Sequence, residues 1–63
     1  MSGWVSADIE MPDSDTDVIV CTEDRQVEAG FHDGRVWRWG NATTIEIDVT
    51  HWMPFPEPPE DTK

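Results

Sequence analysis

Five carboxylates fall close together near the start of the chain: Asp8, Glu10, Asp13, Asp15 and Asp17. An acidic group at every second or third position can steer a protein toward a basic surface. It can also imitate the charge spacing of a phosphate backbone, and a solvated loop has the same composition. Asp13, Asp15 and Asp17 resemble the opening of a calcium loop, but no glycine stands at the sharp turn and no glutamate closes it. The soft ligands Cys21, His32 and His51 do not occur at zinc-type spacings. Cys21 lies inside an apolar run, where a thiol is usually inert; a dyad with His51 is the outlying alternative. The four glycines never approach a phosphate-binding loop. These residues predict a non-catalytic protein with no cofactor and no metal. An aromatic set remains, in which Trp37, Trp39 and Trp52 with His51 could line a ligand pocket. The same tryptophans are also the natural core of so short a chain.

Charge and length narrow the partners. Fourteen acidic residues stand against four basic ones, a net charge of −10 in 63 residues. Such a chain is repelled by nucleic acid and by anionic membrane, so a basic protein surface or a cationic ligand is the expected partner. No run approaches the roughly 20 apolar residues that cross a bilayer. The start has neither the basic residues nor the apolar stretch of a signal peptide, and one cysteine suits a reducing compartment. A cytoplasmic protein is expected. A core this small rarely supplies more than about 3–5 kcal/mol. A single cysteine excludes an internal disulfide, which leaves tryptophan packing, at roughly 150–250 Å² buried per ring, or self-association as the stabiliser.

The elements that must position these residues are mostly strands. Residues 1–63 read as one domain: an acidic irregular lead-in (1–17), a β core (18–53) and a Pro/Glu tail (54–63). Val18 to Cys21 is a β-branched run apolar on both faces, which suits a strand covered on both sides. Glu23-Asp24-Arg25 reads as a turn into a second strand, Val27 to Phe31. Asp33-Gly34 signals a hairpin, and a three-residue loop with Gly34 as a left-handed bulge is favoured over a two-residue one. That register sets Ala29 opposite Trp37, Val27 opposite Trp39 and Glu28 opposite Arg38. It puts Val27, Ala29, Phe31, Trp37 and Trp39 on one face, with Phe31 in the core. Ile45, Ile47 and Val49 alternate with polar residues, as a fourth strand or an extended loop would. Ser6 caps at most one helical turn before Pro12. Trp52 should pack on the first strand, and the prolines from Pro54 onward favour an extended tail. The expected fold is all-β, or β-rich with one helical turn: a small antiparallel meander of three to four strands.

One frame runs through these segments. It comprises Trp4-Val5-Ser6 with Met11-Pro12, then Val18-Ile19-Val20-Cys21, then Ala29-Gly30-Phe31 with Gly34, Trp37 and Trp39. It closes on Val49-Thr50-His51-Trp52-Met53-Pro54-Phe55-Pro56-Glu57-Pro58-Pro59. The chain thereby resembles, from Trp4 to Pro59, the short tryptophan-rich proteins grouped as domain of unknown function 551, common in bacteriophages and prophages. The acidic loop Asp13 to Asp17 departs from that pattern. The resemblance implies a phage or prophage origin and a compact β-rich fold, and it carries over no catalytic residue. The leading expectation is a phage-encoded modulator or inhibitor of a host or anti-phage defence protein, binding through Asp8, Glu10, Asp13, Asp15 and Asp17. The alternatives are a small-molecule binder using Trp37, Trp39, His51 and Trp52, and, third, an acidic DNA mimic.

Overall fold

The computed structural model describes residues 3–56, which form one antiparallel sheet and no helix. Its strands are β1 (Val5–Ser6), β2 (Val18–Thr22), β3 (Val27–His32), β4 (Trp37–Trp39) and β5 (Val49–Pro54). The order across the sheet is β1-β5-β2-β3-β4. β2, β3 and β4 are the expected meander. β5 enters on the far side of β2, and β1, from within the lead-in, pairs outside β5. The expected tail, 54–63, begins later than its first proline, since Pro54 is still in β5 opposite Val18; its part beyond residue 56 lies outside the described residues.

β2 is the axis of the fold. Its side chains alternate, and Val18, Val20 and Thr22 are buried on the inner face while Ile19 and Cys21 are half-buried on the outer. Trp52 stands opposite Val20, and these two join Val18 and Ile45 in the core. Val5, Ala7, Trp37, Trp39 and Val49 pack against that cluster. The inner face is covered by two irregular connections. One runs from Ala7 to Asp17, tied down where Trp52 Nε1 donates to the Glu10 carbonyl at 2.8 Å and Asp15 N–H donates to the His32 carbonyl at 2.8 Å. The other runs from Gly40 through Ile45 to Asp48, ending where Glu23 N–H donates to the Asp48 carbonyl. The expectation of a β2 covered on both sides is therefore corrected: on the outer face Val27 and Ala29 are exposed.

The β3–β4 register also differs from expectation. Gly30 pairs with Trp39, Phe31 with Arg38 and His32 with Trp37, across a four-residue loop, 33–36. Trp37 and Trp39 thus share the inner face with Gly30, while Val27, Ala29 and Phe31 lie on the outer face with Arg38. Phe31 is half-buried there and is not part of the core. Two local causes decide this. Gly30 lies opposite Val18 on the inner face, and a Cβ on it would fall 2.6 Å from the Arg38 carbonyl oxygen and 3.3 Å from Val20 Cγ2. Only a glycine lets β4 approach so closely. Asp33, meanwhile, closes the longer loop itself: its Oδ1 accepts from Arg35 N–H (2.8 Å) and Val36 N–H (2.9 Å). Arg38 bonds Asp33 rather than the expected Glu28.

The three-residue bulged loop expected at Gly34 occurs at the two neighbouring turns instead. In 23–25, Arg25 N–H donates to the Thr22 carbonyl and Thr22 N–H to the Gln26 carbonyl; in 40–42, Ala42 N–H and Trp39 N–H repeat the pattern with Trp39 and Thr43. The third loop residue is left-handed in each, Arg25 at φ 71° and Ala42 at φ 75°. The first loop is braced by the buried Thr22 hydroxyl, which donates to Asp24 Oδ1 and accepts from Gln26 N–H. The Thr22 hydrogen bond, helped by Gln26, holds the Asp24 carboxyl below its ordinary value. Residues 45–48, one of two readings offered by the alternation, are loop rather than strand. The bridge Arg38–Thr44 and the Ile45 N–H to Trp37 carbonyl bond (2.9 Å) pair its start along the outer edge of β4, and the Glu23 N–H to Asp48 carbonyl bond ties its end. The single turn after Ser6 is present: the Ser6 carbonyl accepts from Ile9 and Glu10 N–H, and Ser6 Oγ from Asp8 N–H.

Left-handed backbone costs an L-residue roughly 1–2 kcal/mol, offset in part by the extra chain entropy that a glycine loses on folding. Ala42→Gly should therefore stabilise the protein by about 0.5–1 kcal/mol, raising the thermal midpoint by several degrees. An unchanged or lower midpoint would show that residue 42 is not held left-handed.

Candidate binding groove

The turn at Ala7–Ile9 brings Asp8 beside the second connection. There Asp8, Glu46 and Asp48 rim a groove of about 610 Å³ whose apolar lining includes Trp37, Ile45 and Ile47. His51 and Thr50 close one end. All three carboxylate residues are exposed, whereas Ile45 is buried and Trp37 half-buried. Acidic groups above an apolar floor suit a cation that also has hydrocarbon to bury, as Lys and Arg side chains do.

The floor is fixed by a chain of polar contacts running through Arg38. Its Nε donates to Asp33 Oδ2 at 2.8 Å, and its Nη1 donates to the Ala42 carbonyl at 3.0 Å and to Thr44 Oγ1 at 3.3 Å. One guanidinium thus joins the β3–β4 loop to the segment that leads into Ile45 and Glu46. Asn41 Oδ1 adds support by accepting from the Thr43 amide and hydroxyl. Trp37 is held from behind by His32, the two rings meeting edge to face at 5.1 Å and 77°.

The other sequence-derived residues are distributed over the same layer. Glu10, Asp13 and Asp17 surround a smaller hollow of about 280 Å³ with Trp52, Met11 and Pro54. Asp15 sits at a left-handed turn (φ 62°) bonded to the end of β3. All five lead-in carboxylate residues are exposed. Of the aromatic set, Trp37 and His51 share the groove, Trp52 lines the hollow, and Trp39 lines a third cleft with Gln26 and Glu28. The four do not meet in one cavity. Cys21 and His51 do stand opposite each other across β2 and β5. However, the thiol is directed to the Thr22 carbonyl at 3.6 Å, and His51 Nδ1 lies 3.0 Å from Thr50 Oγ1. Glu46 and Asp48 were not singled out from sequence as binding residues. Their signal was the Ile45-Glu46-Ile47-Asp48 alternation, which marks a segment with one side on the core and one in water. Among the described residues no cluster of three His, Cys, Asp or Glu could hold a metal ion.

Fold and groove together define a small all-β protein: one antiparallel sheet roofed on a single face by two acid-bearing connections. The chain belongs to the family described as Protein of unknown function (DUF551), whose model matches residues 3–60. No curated protein and no solved structure matches it.

The Arg38 bond first, then the Val36 and Arg35 amides, hold the Asp33 carboxyl well below the usual carboxylate range. A carboxyl depressed in the folded state stabilises it above the unfolded value of about 3.9. That contribution is lost as pH falls through the lower folded value. Asp33→Asn should therefore melt below the wild type at pH 7, and the gap between the two midpoints should narrow steadily as pH falls from 4 to 2. A gap of constant size across that range would show that the Asp33 charge is not what braces Arg38.

Proposed function

We propose that this protein is a non-catalytic binding protein that captures a basic, amphipathic segment of another protein. The observation that carries the reading is the groove itself, where Asp8, Glu46 and Asp48 surround Trp37 and Ile45. The rim supplies long-range attraction and a favourable site for Lys or Arg heads. The floor supplies the desolvated apolar contact from which binding energy mostly comes, with tryptophan a common anchor. The hollow between Glu10, Asp13 and Asp17 continues the same chemistry, so the lead-in carboxylates extend the attractive surface. A single aromatic ligand pocket has less support, because its four residues lie in three separate depressions. The resemblance to small phage and prophage proteins points to a host or anti-phage defence protein as the target class, met in the bacterial cytoplasm.

The test is capture of the target from bacterial lysate with the full chain, followed by binding kinetics with the purified target. The Debye length shrinks from about 10 Å to about 3 Å between 0.1 M and 1 M salt, so association should slow at least tenfold over that range. Asp8→Asn combined with Glu46→Gln and Asp48→Asn should slow it comparably at low salt while leaving the melting curve intact. Binding that tolerates salt and the triple change, yet fails on Trp37→Ala, would instead support a small-molecule or purely apolar site.

A further inference from the structure

The outer face of the sheet is unlike the rest of the molecule. Strand positions on that side carry Ile19 and Cys21 from β2, Val27, Ala29 and Phe31 from β3, and Met53 from β5, and Trp4 joins Cys21, Val27 and His51 there in a depression edged by the oppositely charged Glu23 and Arg25. Arg38, His51 and Ser6 are the polar members, and the Arg38 charge is matched by Asp33. None of these strand positions is acidic in a chain of net charge −10. Val27 is 52% exposed, and Phe55, just beyond β5, is 47% exposed. Only four hydrophobic residues are buried among those described, Val18, Val20, Ile45 and Trp52. A chain of this size with so small a core usually gains stability from a staple or from association.

We propose that two copies of this chain pair face to face through this outer surface, stacking their sheets into a sandwich with both acidic layers outward. The charge distribution selects the occupant. A basic partner gains nothing from an uncharged apolar face and is drawn to the carboxylates on the opposite layer. A second copy presents a face whose few acids are matched by Arg38 and Arg25, so the unmatched repulsive charges sit on the far sides of the two sheets. The edges offer no competing route. Residues 43–45 cover the outer edge of β4, and β1 is two residues long. Stacked sheets lie about 10 Å apart, so Ile19, Val27 and Phe31 interleave with their counterparts. Five strands at about 4.8 Å spacing and about five residues of 3.4 Å each make a small footprint. Stable interfaces take about 800 Å² per partner, so the pairing is concentration-dependent rather than obligate.

Sedimentation velocity of the full chain from micromolar to millimolar concentration tests this directly. Labelling of Cys21 with a thiol reagent over the same range provides a second measure. The mass should rise toward twice that of the monomer, and Cys21 should label several-fold more slowly in the dimer. Raising salt should strengthen the pairing by screening the outward charges, the opposite of its effect on capture of a basic target. Val27→Lys, at an exposed position, should retain the β circular dichroism and raise the dissociation constant at least tenfold. A monomer at every concentration overturns the proposal, as does a dimer in which Cys21 labels at the monomer rate. A dimer undiminished in folded Val27→Lys overturns it too. Should that variant not fold, the Cys21 rate in the wild type decides alone.

Discussion

The indole of Trp52 is where the two layers of this protein meet. Its ring lies in the core opposite Val20, at 8% exposure, while its N–H reaches outward to the Glu10 carbonyl. Without that bond the stretch between the Ala7–Thr50 and Asp15–His32 backbone bonds would be a polar loop above a hydrophobic sheet. With it, the backbone carrying Asp8, Glu10 and Asp13 is fixed although the side chains remain in water. A tryptophan suits this position because it combines a large apolar body with one donor that must be satisfied when buried. Val5 pairs with Trp52 from the other side, so the same residue anchors β1.

Burial on a single face follows from the shortage of chain. Two connections cover the inner side of β2, while the outer side is met by Trp4, which lines a depression with Cys21, Val27 and His51. The result is a molecule with two chemically different sides. The roofed side carries the lead-in carboxylates above half-buried tryptophan, and the other side carries mostly apolar side chains with its Arg38 charge matched by Asp33. A protein of this size seldom leaves a contiguous apolar face without use, and an acidic layer favours a basic partner. Under the two proposals each side has its own kind of contact, and salt would act on the two in opposite directions.

Much of this was legible in the residues. The β-branched run at Val18, the turn at Glu23–Arg25, the single turn after Ser6 and the packing of Trp52 on β2 follow from local chemistry alone. The β3–β4 register was not legible, because Asp-Gly favours a short loop in isolation. What overrides it is non-local: the clearance Gly30 provides to the Arg38 carbonyl, and the Asp33 carboxylate binding a side chain on the next strand. Shifting the pairing changed the partner of every β4 side chain, and it carried Trp37 and Trp39 to the roofed face. The groove was hidden for a similar reason. Asp8 and Glu46 are far apart in sequence, and the alternation around Ile47 has the same period in a strand and in a connection lying between core and water.

The most direct test of the account is amide hydrogen exchange in Trp52→Phe, which keeps an aromatic ring against Val20 and removes the donor to Glu10. The lead-in should loosen on its own: the Asp15 amide, bonded to the His32 carbonyl, should lose protection by about tenfold or more, as expected for roughly 1.4 kcal/mol from one hydrogen bond. The Val20 and Glu28 amides, paired across β2 and β3, should lose much less. Equal loss of protection across lead-in and sheet would mean that Trp52 acts only as core filler. Unchanged protection at Asp15 would mean that something other than the indole holds the acidic layer in place.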